Sequence, residues 1–485
     1  MAAITSLGIG SGLDINSMVT QLVALENRPL TQMKAQASSL QTQVSSYGKL
    51  NSLFSALQTA SNKLTNPTLW AQSTASSSDT ASVSVTGGSG ATAGNYAVSV
   101  QRLAGSQTVA SAGAFPDASA LVGAGQFKVE LGAWEDNPPL TFVPRVGGGS
   151  ATIDVTANDT LQTLRDKINA LGVGVTASLV TDSSGVRLAM RSSATGAENG
   201  FRVTTTDVDN NNTDAAGLSR FAYDPEGGAN TMTLKQAAQN AKATVNGIEV
   251  ESASNELSGV VSGVTMNLHK VTTGDVDVAV ASDRQGIKDA ITGFATAYND
   301  LAKTIAEQTK YDPTSKVGGP LQGDSAVSSL QRQLLGVLNA ASGASSAFPR
   351  LSDVGLQIQR DGTLKVDATK LDTAANNLTE LKKAFGNSDT GNVNNQGFAR
   401  RYADLATQVL GVDGSLTTRT EGLRQRLTRN SSDQEKLAAR VDRYQQRLVA
   451  QYTAMDANLS KLNSLSTYLT QQLASLSANS GKSSE

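Results

Sequence analysis

Three glycines at alternate positions, Gly8, Gly10 and Gly12, lead into an apolar run near the start of this 485-residue chain. Glycine loops at a helix N-terminus can bind phosphate, because their backbone N–H groups face the anion. A dinucleotide-binding loop needs G-x-G-x-x-G after a strand, whereas here position 13 is leucine and only seven residues precede the first glycine. No Gly-Lys-Ser/Thr follows, so we interpret the glycines as the lead-in to a helix capped by Ser11 or Asp14.

The other residues that could carry chemistry are sparse. His269 is the only histidine and lies on the opposite strand face from its apolar neighbours, which predicts a solvated position. The absence of cysteine excludes disulfides and thiol catalysis. The loop from Asp207 to Leu218 is rich in oxygen ligands, but an EF-hand requires glycine and glutamate where this loop has Asn212 and Leu218. We therefore predict no catalytic, cofactor-binding or metal-binding residues, and no enzyme.

Charge argues against nucleic acid as a partner. The chain has 40 basic and 42 acidic residues, a formal net charge of −2, and only 4% aromatic residues. Nucleic-acid binding would need several aromatic platforms or an unopposed basic patch, whereas the stretch from Arg419 to Arg447 has eight basic residues, four acidic residues and a single aromatic one. A solvated or partner-facing side of a coiled coil accounts for it better.

The N-terminal segment does not read as a secretory signal peptide. It has no basic region followed by a continuous apolar core. No stretch of the chain approaches the ~18 apolar residues that a membrane-spanning helix needs. We expect neither a cleaved signal nor membrane insertion.

Both ends of the chain carry apolar residues that alternate at spacings of three and four, the period of a coiled coil. The N-terminal seam consists of Leu30, Met33, Ala37, Leu40, Val44, Tyr47, Leu50, Phe54 and Leu57. The C-terminal seam consists of Leu437, Val441, Tyr444, Leu448, Tyr452, Met455, Leu459, Leu462, Leu469 and Leu473. These seams predict two long helices that pair with each other, with copies of themselves, or with both.

The middle of the chain, from about 73 to 283, alternates with a period of two and predicts short strands. Asn246-Gly247 and Asp361-Gly362 mark two hairpin turns. One helix interrupts the strands, with Leu161, Leu164 and Ile168 on one face and a glycine as its stop. The order of helix, β insert and helix predicts an α+β, multidomain chain whose two termini run together.

Several blocks of the sequence resemble the flagellar filament cap family, also called hook-associated protein 2. The N-terminal block is GIGSGLDINSMVTQLVALENRPL, and the C-terminal block is QYTAMDANLSKLNSLSTYLTQQL. Between them ATVNGIEVESASNELSGVVSGVTMNL, LQGDSAVSSLQRQLL and VGLQIQRDGTLKVD follow in the order of the family. The unit TLQTLRDKINALGVGVTASLV is similar to inserts of several flagellar axial proteins.

The resemblance implies a structural cap at the distal tip of the filament, outside the cell. It implies a homo-oligomeric ring, commonly a pentamer, that helps exported flagellin subunits to fold and insert. Further implied partners are hook–filament junction proteins and a cytosolic export chaperone, with export by the flagellar type III system. Some members of the family contact host mucin, an adhesive role for which this sequence gives no sign.

The resemblance also implies a domain plan. Residues 1–45 and 440–485 form a coiled-coil leg, and residues 46–76 and 284–439 form a helical domain with a β-hairpin. Residues 77–108 and 238–283 form a β head domain, and residues 109–237 form a second, inserted β head domain.

Filament docking is expected on both halves of the leg. The N-terminal residues are Leu13, Asp14, Ile15, Met18, Val19 and Leu22. The C-terminal residues, which are also expected to bind the chaperone, are Met455, Leu459, Leu462, Leu469 and Leu473. Phe294, Tyr298, Phe398 and Tyr402 are candidates for ring contacts, but core positions suit such large apolar side chains better.

Two alternatives remain open from sequence. One is another flagellar axial protein, such as a hook–filament junction protein or flagellin. The other is a surface adhesin or carbohydrate-binding β module on a coiled-coil stalk.

Overall fold

The structure, a computed structural model, describes residues 14–135, 140–314 and 316–480. Residues 1–66 and 285–485 form one compact unit, which we call the helical unit. Residues 67–284 form another, which we call the sheet unit. Gly8, Gly10, Ser11, Gly12 and Leu13 lie outside the described residues. In the part of the chain that is described, no helix has an apolar stretch long enough to cross a bilayer.

The elements follow the chain in three groups. The first group is α1 (Ile15–Glu26) and α2 (Arg28–Thr65). The second group contains α3 (Pro67–Trp70), β1 (Ser73–Ser77), β2 (Val83–Gly87), β3 (Gly94–Arg102), β4 (Thr108–Ser111), β5 (Gly125–Glu135), β6 (Thr141–Pro144), β7 (Ser150–Val155), α4 (Leu161–Leu171), β8 (Val175–Asp182), β9 (Gly185–Ser192), β10 (Gly200–Asp207), β11 (Tyr223–Asp224), β12 (Ala229–Asn230), β13 (Met232–Gln236), β14 (Ala241–Val245), β15 (Ile248–Ser252), β16 (Glu256–Val261), β17 (Val264–Leu268) and β18 (Val276–Ser282). The third group contains α5 (Arg284–Thr309), β19 (Tyr311–Asp312), β20 (Val317–Gly318), α6 (Ser325–Asn339), α7 (Leu351–Val354), β21 (Leu356–Ile358), β22 (Leu364–Val366), α8 (Ala368–Ala374), α9 (Leu378–Gly386), α10 (Phe398–Leu410) and α11 (Ser415–Ser480).

The N-terminal helices begin and end where local chemistry dictates. The Asp14 carboxylate accepts a hydrogen bond from the backbone N–H of Ser17, which makes Asp14 the N-cap of α1. Pro29 lies in the first turn of α2, where its missing N–H costs nothing. Asn66 ends α2 because the following proline disfavours a helical conformation at that position.

The predicted N-terminal seam is confirmed as the packed face of α2. Its central residues Leu40, Tyr47, Leu50, Phe54 and Leu57 are buried, and its other members are half-buried. The helix presents this face to α10 and α11. The seam therefore anchors the N-terminal helix to the C-terminal part of the chain.

The last helix, α11, runs for 66 residues after the break at Gly414. At 1.5 Å per residue it is roughly 100 Å long. It crosses residue 440, where the sequence suggested a boundary between the helical domain and the leg. The division of the helical unit into those two parts remains a prediction.

Four aromatic residues lie in the core of the helical unit. The sequence alone allowed them to be either ring contacts or core residues. Phe294, Tyr298, Phe398 and Tyr402 are all buried. The Tyr402 ring centroid lies 5.4 Å from that of Phe294 and 5.8 Å from that of Tyr298. The core interpretation is correct, and these side chains are not available to a neighbouring copy.

The sheet unit contains two separate apolar clusters. One lies between the sheet β1-β18-β3-β14-β15 and the sheet β16-β17-β2 and is centred on Val98, Val100, Ala243 and Val278. The other lies among the sheets built around β5 and β9, with α4 packed on them through Leu161, Leu164 and Ile168. The predicted helix stop is confirmed, since Gly172 adopts a left-handed conformation after α4.

Hairpin turns in both units match the sequence signals. Asn246 and Gly247 both have positive φ between β14 and β15, as a type I′ turn requires. Gly362 has positive φ between β21 and β22. One boundary differs: β1, at Ser73–Ser77, pairs with β18, so residues 67–76 belong to the sheet unit rather than to the helical domain.

Candidate assembly surface on the terminal helices

Helix α1 packs against α11 through a small apolar cluster. Ile15, Val19 and Leu448 are its buried members, and Leu22, Val23, Tyr444, Val449 and Tyr452 pack around them. Ile15 and Val19 are four residues apart, which places both on the same face of α1. Three of the predicted N-terminal docking residues, Ile15, Val19 and Leu22, therefore lie in a contact within the chain.

The pairing continues along α2 in the antiparallel sense. The Arg440 guanidinium lies 2.9 Å from the Glu26 carboxylate at the end of α1, and the Asn430 amide donates to the Gln36 side chain of α2 at 3.3 Å. As the residue number rises on one helix it falls on the other. Leu437 is buried between these polar contacts and Val441 is buried just beyond them, so the described leg is an antiparallel helix pair with an apolar seam.

An ion pair between a buried carboxylate and an exposed guanidinium links α6 to the first turns of α11. Asp324 caps α6 by accepting from the Ala326 N–H at 2.9 Å, and Arg419 of α11 donates two hydrogen bonds to the other carboxylate oxygen. Burial alone would raise the pKa of Asp324, but the Tyr47 hydroxyl and the Arg419 guanidinium beside it outweigh burial and lower that pKa. Burial raises the pKa of Tyr47 well above its usual range.

Beyond Tyr452, α11 loses its cover among the described residues and its apolar side chains become exposed. Leu459 is still half-buried, whereas Met455 is 36% exposed and Leu462, Leu469 and Leu473 are 52–65% exposed. Leu465, Tyr468 and Leu476, which the sequence analysis did not single out, are also exposed on this segment. We call Met455, Leu459, Leu462, Leu465, Tyr468, Leu469, Leu473 and Leu476 the tip stripe. A run of exposed apolar residues of this length is typical of an interaction site.

A cleft of about 570 Å³ opens between α1 and Tyr452 of α11. Met18 and Leu22, both predicted docking residues, line it together with Leu25, Arg28 and Tyr452. Leu25 is 56% exposed and was missed, although its three-residue spacing from Leu22 places it on the same face. Asp14 is exposed, but its carboxylate is used as a helix cap.

The other candidates from sequence have structural roles in the sheet unit. The His269 Nε2 and the Ser84 hydroxyl are 2.8 Å apart, just after strand β17. The Asp207 carboxylate accepts from the backbone N–H groups of Leu218 and Ser219, which closes the polar loop on itself. Within the described residues, no group of three or more His, Cys, Asp or Glu side chains could hold a metal ion.

Paired chain ends, an exposed apolar helix tip and a large sheet insert define the class. This is a multidomain assembly protein whose two termini form one helical element. The comparisons with known proteins identify which assembly protein it resembles.

Family models match three parts of the chain. The N-terminal model of flagellar hook-associated protein 2 matches residues 11–107, and its C-terminal model matches residues 238–464. The flagellin hook IN motif matches residues 145–194, which include α4. Flagellar hook-associated protein 2 of Escherichia coli K12 is 32% identical over 482 residues, covering 97% of this chain and 98% of that protein.

Two further comparisons agree. The B-type flagellar hook-associated protein 2 of Pseudomonas aeruginosa is 30% identical over 493 residues, covering 98% of this chain and 99% of the other. The crystal structure of the flagellar cap protein FliD D1-D2-D3 domains from Escherichia coli superposes with a TM-score of 0.62 at 30% identity, covering 78% of this chain and 99% of that one. The chain belongs to the flagellar hook-associated protein 2 family.

Proposed function

We propose that this chain is a flagellar filament cap, which forms a ring at the distal tip and promotes the folding and insertion of exported flagellin. The tip stripe is the observation that carries the proposal. It leaves one side of a long helix apolar and exposed over more than twenty residues, beyond the point where α1 covers it. Flagellin helices with apolar faces of their own can bury this surface, and that burial favours docking.

The mechanism needs docking sites that open and close rather than a catalytic group. A subunit that leaves the export channel would bury its apolar helices against the tip stripe and against the cleft lined by Met18 and Leu22. It would then transfer to the growing filament, whose packing buries more of the same surface. No step requires bond breaking, so the proposal includes no enzymatic activity.

The proposal extends to the other partners and to the location. The same C-terminal segment, with Met455, Leu459, Leu462, Leu469 and Leu473, would bind a cytosolic export chaperone before secretion by the type III system without a cleaved signal. At the filament it would meet hook–filament junction proteins. The ring is expected to be a pentamer. Ile15 and Val19 stay in this proposal as residues that hold α1 in place, and Leu13 as a docking residue.

The experiment tests the tip stripe in a strain that lacks this protein. The variant Leu462→Gln, Leu469→Gln and Leu473→Gln should leave the melting temperature of the purified chain unchanged, because all three side chains are exposed. Filaments should be absent, and flagellin should accumulate as monomer in the medium. The matched control, Ser464→Ala with Thr467→Ala on the same segment, should restore filaments. Normal filaments with the triple variant would overturn the proposal.

A further inference from the structure

The exposed surface of α11 between 421 and 447 carries most of its basic residues on one side, although Arg424 and Arg426 lie off that side and Asp433 lies at its edge. Basic residues recur every seven residues, at Arg429, Lys436 and Arg443 and again at Arg440 and Arg447. At 3.6 residues per turn these five positions fall within about 60° of one another. We call them the cationic flank.

Acidic residues follow the same seven-residue period on another side of α11. Glu435 and Asp442 are seven residues apart, and Glu421 precedes Glu435 by fourteen. These three positions also fall within about 60°, and they are centred roughly 100° from the cationic flank around the helix, with Arg424 at the same angle as Asp442. We call them the acidic flank. The buried residues are Leu437, Val441 and Leu448, and they lie on the side of the helix that neither flank occupies.

Most of these charges have no opposite charge within the described part of the chain. Arg440 pairs with Glu26, and Lys436 makes a long 3.5 Å contact with Asp433 in its own helix. No ion pair joins Arg443, Arg447, Glu435 or Asp442 to another described residue, although Arg447 stacks over Tyr444 and Asp442 accepts from Gln446. The Lys436 side chain is 76% exposed and the Arg440 side chain 61%.

The heights of the charges along α11 select one occupant for these flanks. In a ring of parallel legs, rotation about the ring axis leaves the height of each residue unchanged, so neighbours meet at equal heights. Glu435 and Lys436 differ by one residue, as do Asp442 and Arg443, which is about 1.5 Å along the helix. The cationic flank of one leg therefore matches the acidic flank of the next in register. A parallel two-fold dimer could join the same two flanks, so the ring is taken from the proposed function.

We propose that neighbouring copies of this chain pack their legs side by side, with the cationic flank of one copy against the acidic flank of the next. The inference rests on the proposed function, in which the chain acts as a ring, and it names the surface that orders the ring. An exposed ion pair contributes little alone, so the repeated pairs set register and orientation rather than most of the affinity.

Charge reversal on full-length protein tests the proposal. Lys436→Glu with Arg443→Glu reverses the cationic flank, and Glu435→Lys with Asp442→Lys reverses the acidic flank. Each pair alone should raise the concentration for half-assembly at least tenfold or so, measured by sedimentation velocity, because like charges then face each other. All four changes together should restore assembly to within about threefold of the original, since the flanks have exchanged signs.

The control variant reverses two exposed charges away from both flanks, Lys49→Glu with Lys382→Glu, and should assemble as the original does. Added salt should weaken assembly of the original chain and of the fourfold variant alike. Unchanged assembly of the two single-flank variants overturns the inference, as does failure of the fourfold variant to recover. Loss of flagellin binding with intact rings also overturns it, because the cationic flank would then serve another chain.

This test is independent of the proposed function. Complementation of filament growth by the original chain tests the cap, whatever the flanks do. Single-flank variants that assemble and support filaments would remove the flank interface and leave the cap function standing. If the original chain formed rings but never restored filaments, the cap function would be removed and the flank interface would stand.

Discussion

At the scale of single residues, Tyr402 shows how polar groups are accommodated in the helical core. Its side chain is completely buried, and its hydroxyl donates to the Leu334 carbonyl at 3.0 Å. Burial raises the pKa of Tyr402 well above its usual value, so the hydroxyl stays protonated and continues to donate. The hydrogen bond links α10 to α6 within the aromatic cluster.

Replacing Tyr402 with phenylalanine should lower the free energy of unfolding by about 1–2 kcal/mol, because a buried hydrogen bond is lost while the ring packing remains. Urea denaturation followed by circular dichroism measures the change. Tyr311→Phe, at a position 48% exposed, is the control and should change stability by less than about 0.5 kcal/mol. Equal stability of both variants would show that the hydroxyl is not needed.

Two substitutions at Asp324 distinguish its contribution to stability as a helix cap from its contribution as the ion-pair partner of Arg419. Asparagine is as good an N-cap as aspartate, so Asp324→Asn should keep the cap and remove the charge together with the oxygen that accepts from Arg419, whereas Asp324→Ala removes the cap as well. We expect losses of about 1–2 kcal/mol for the first variant and a further ~1 kcal/mol for the second. Denaturant unfolding of the two variants measures the difference. Identical losses would mean that the cap contributes nothing.

The same pair predicts a pH dependence with a definite sign. The pKa of Asp324 is lowered in the folded chain, so its charge stabilises the fold at pH above the unfolded value of about 3.9. That stabilisation is lost as pH falls through the lower folded pKa. The stability difference between the original chain and Asp324→Asn should therefore be full near neutral pH and shrink on acidification. A difference that grows below pH 4 or so would contradict this assignment.

At the scale of elements, α11 has two segments that should differ in local stability. Residues 416–448 pack against α1, α2 and α10, whereas the tip stripe has little cover among the described residues. Hydrogen exchange depends on local opening, which is easier where few apolar contacts hold the helix. We expect amides of 460–476 to exchange at least tenfold faster than those of 430–448, measured by mass spectrometry. Flagellin should slow exchange at the tip stripe, and uniform protection along α11 in the isolated chain would contradict the prediction.

Local signals in the sequence predicted individual elements well, because each depends on neighbouring residues. The α2 seam, the Asp14 cap and the Asn246-Gly247 turn are all confirmed for this reason. Strand pairing depends on residues far apart in the sequence, so local signals do not predict it. Ser73 of β1 lies opposite Ser282 of β18, more than 200 residues away, and nothing in either short strand names its partner. The period-two pattern from about 73 predicts a strand where β1 lies, but not its pairing with β18.

Local sequence signals also do not show which residues of the candidate assembly surface are exposed. An apolar helix stripe indicates that something covers it, but not what does so. Ile15 and Leu469 have similar sequence settings, yet α11 covers Ile15 completely and leaves Leu469 52% exposed. Only the antiparallel pairing of the two chain ends, a long-range feature, separates the residues that hold the leg together from those that remain open for a partner.

At the scale of the whole molecule, the sheet unit is built so that its outer part can be removed. The chain enters and leaves that part side by side: Gly105 and Gln239 exchange two backbone hydrogen bonds, at 2.9 and 3.1 Å, and Thr108 lies opposite Gln236. The cluster around Val98, Ala243 and Val278 shares no member with the outer cluster around Phe127, Leu188 and Phe201. Each cluster can therefore hold its own strands.

Deletion of residues 109–237 should leave the remaining chain folded, because Thr108 and Ala238 are close enough to join and the inner cluster keeps all its members. Secretion and filament growth in a strain lacking the protein should persist, since neither the tip stripe nor the flanks of α11 are touched. Swimming in soft agar and electron microscopy of filament tips measure this. An adhesin on a stalk would behave differently, losing binding to cells or glycans with the deletion. A folded deletion variant that supports no filaments would show that the outer sheets take part in capping itself.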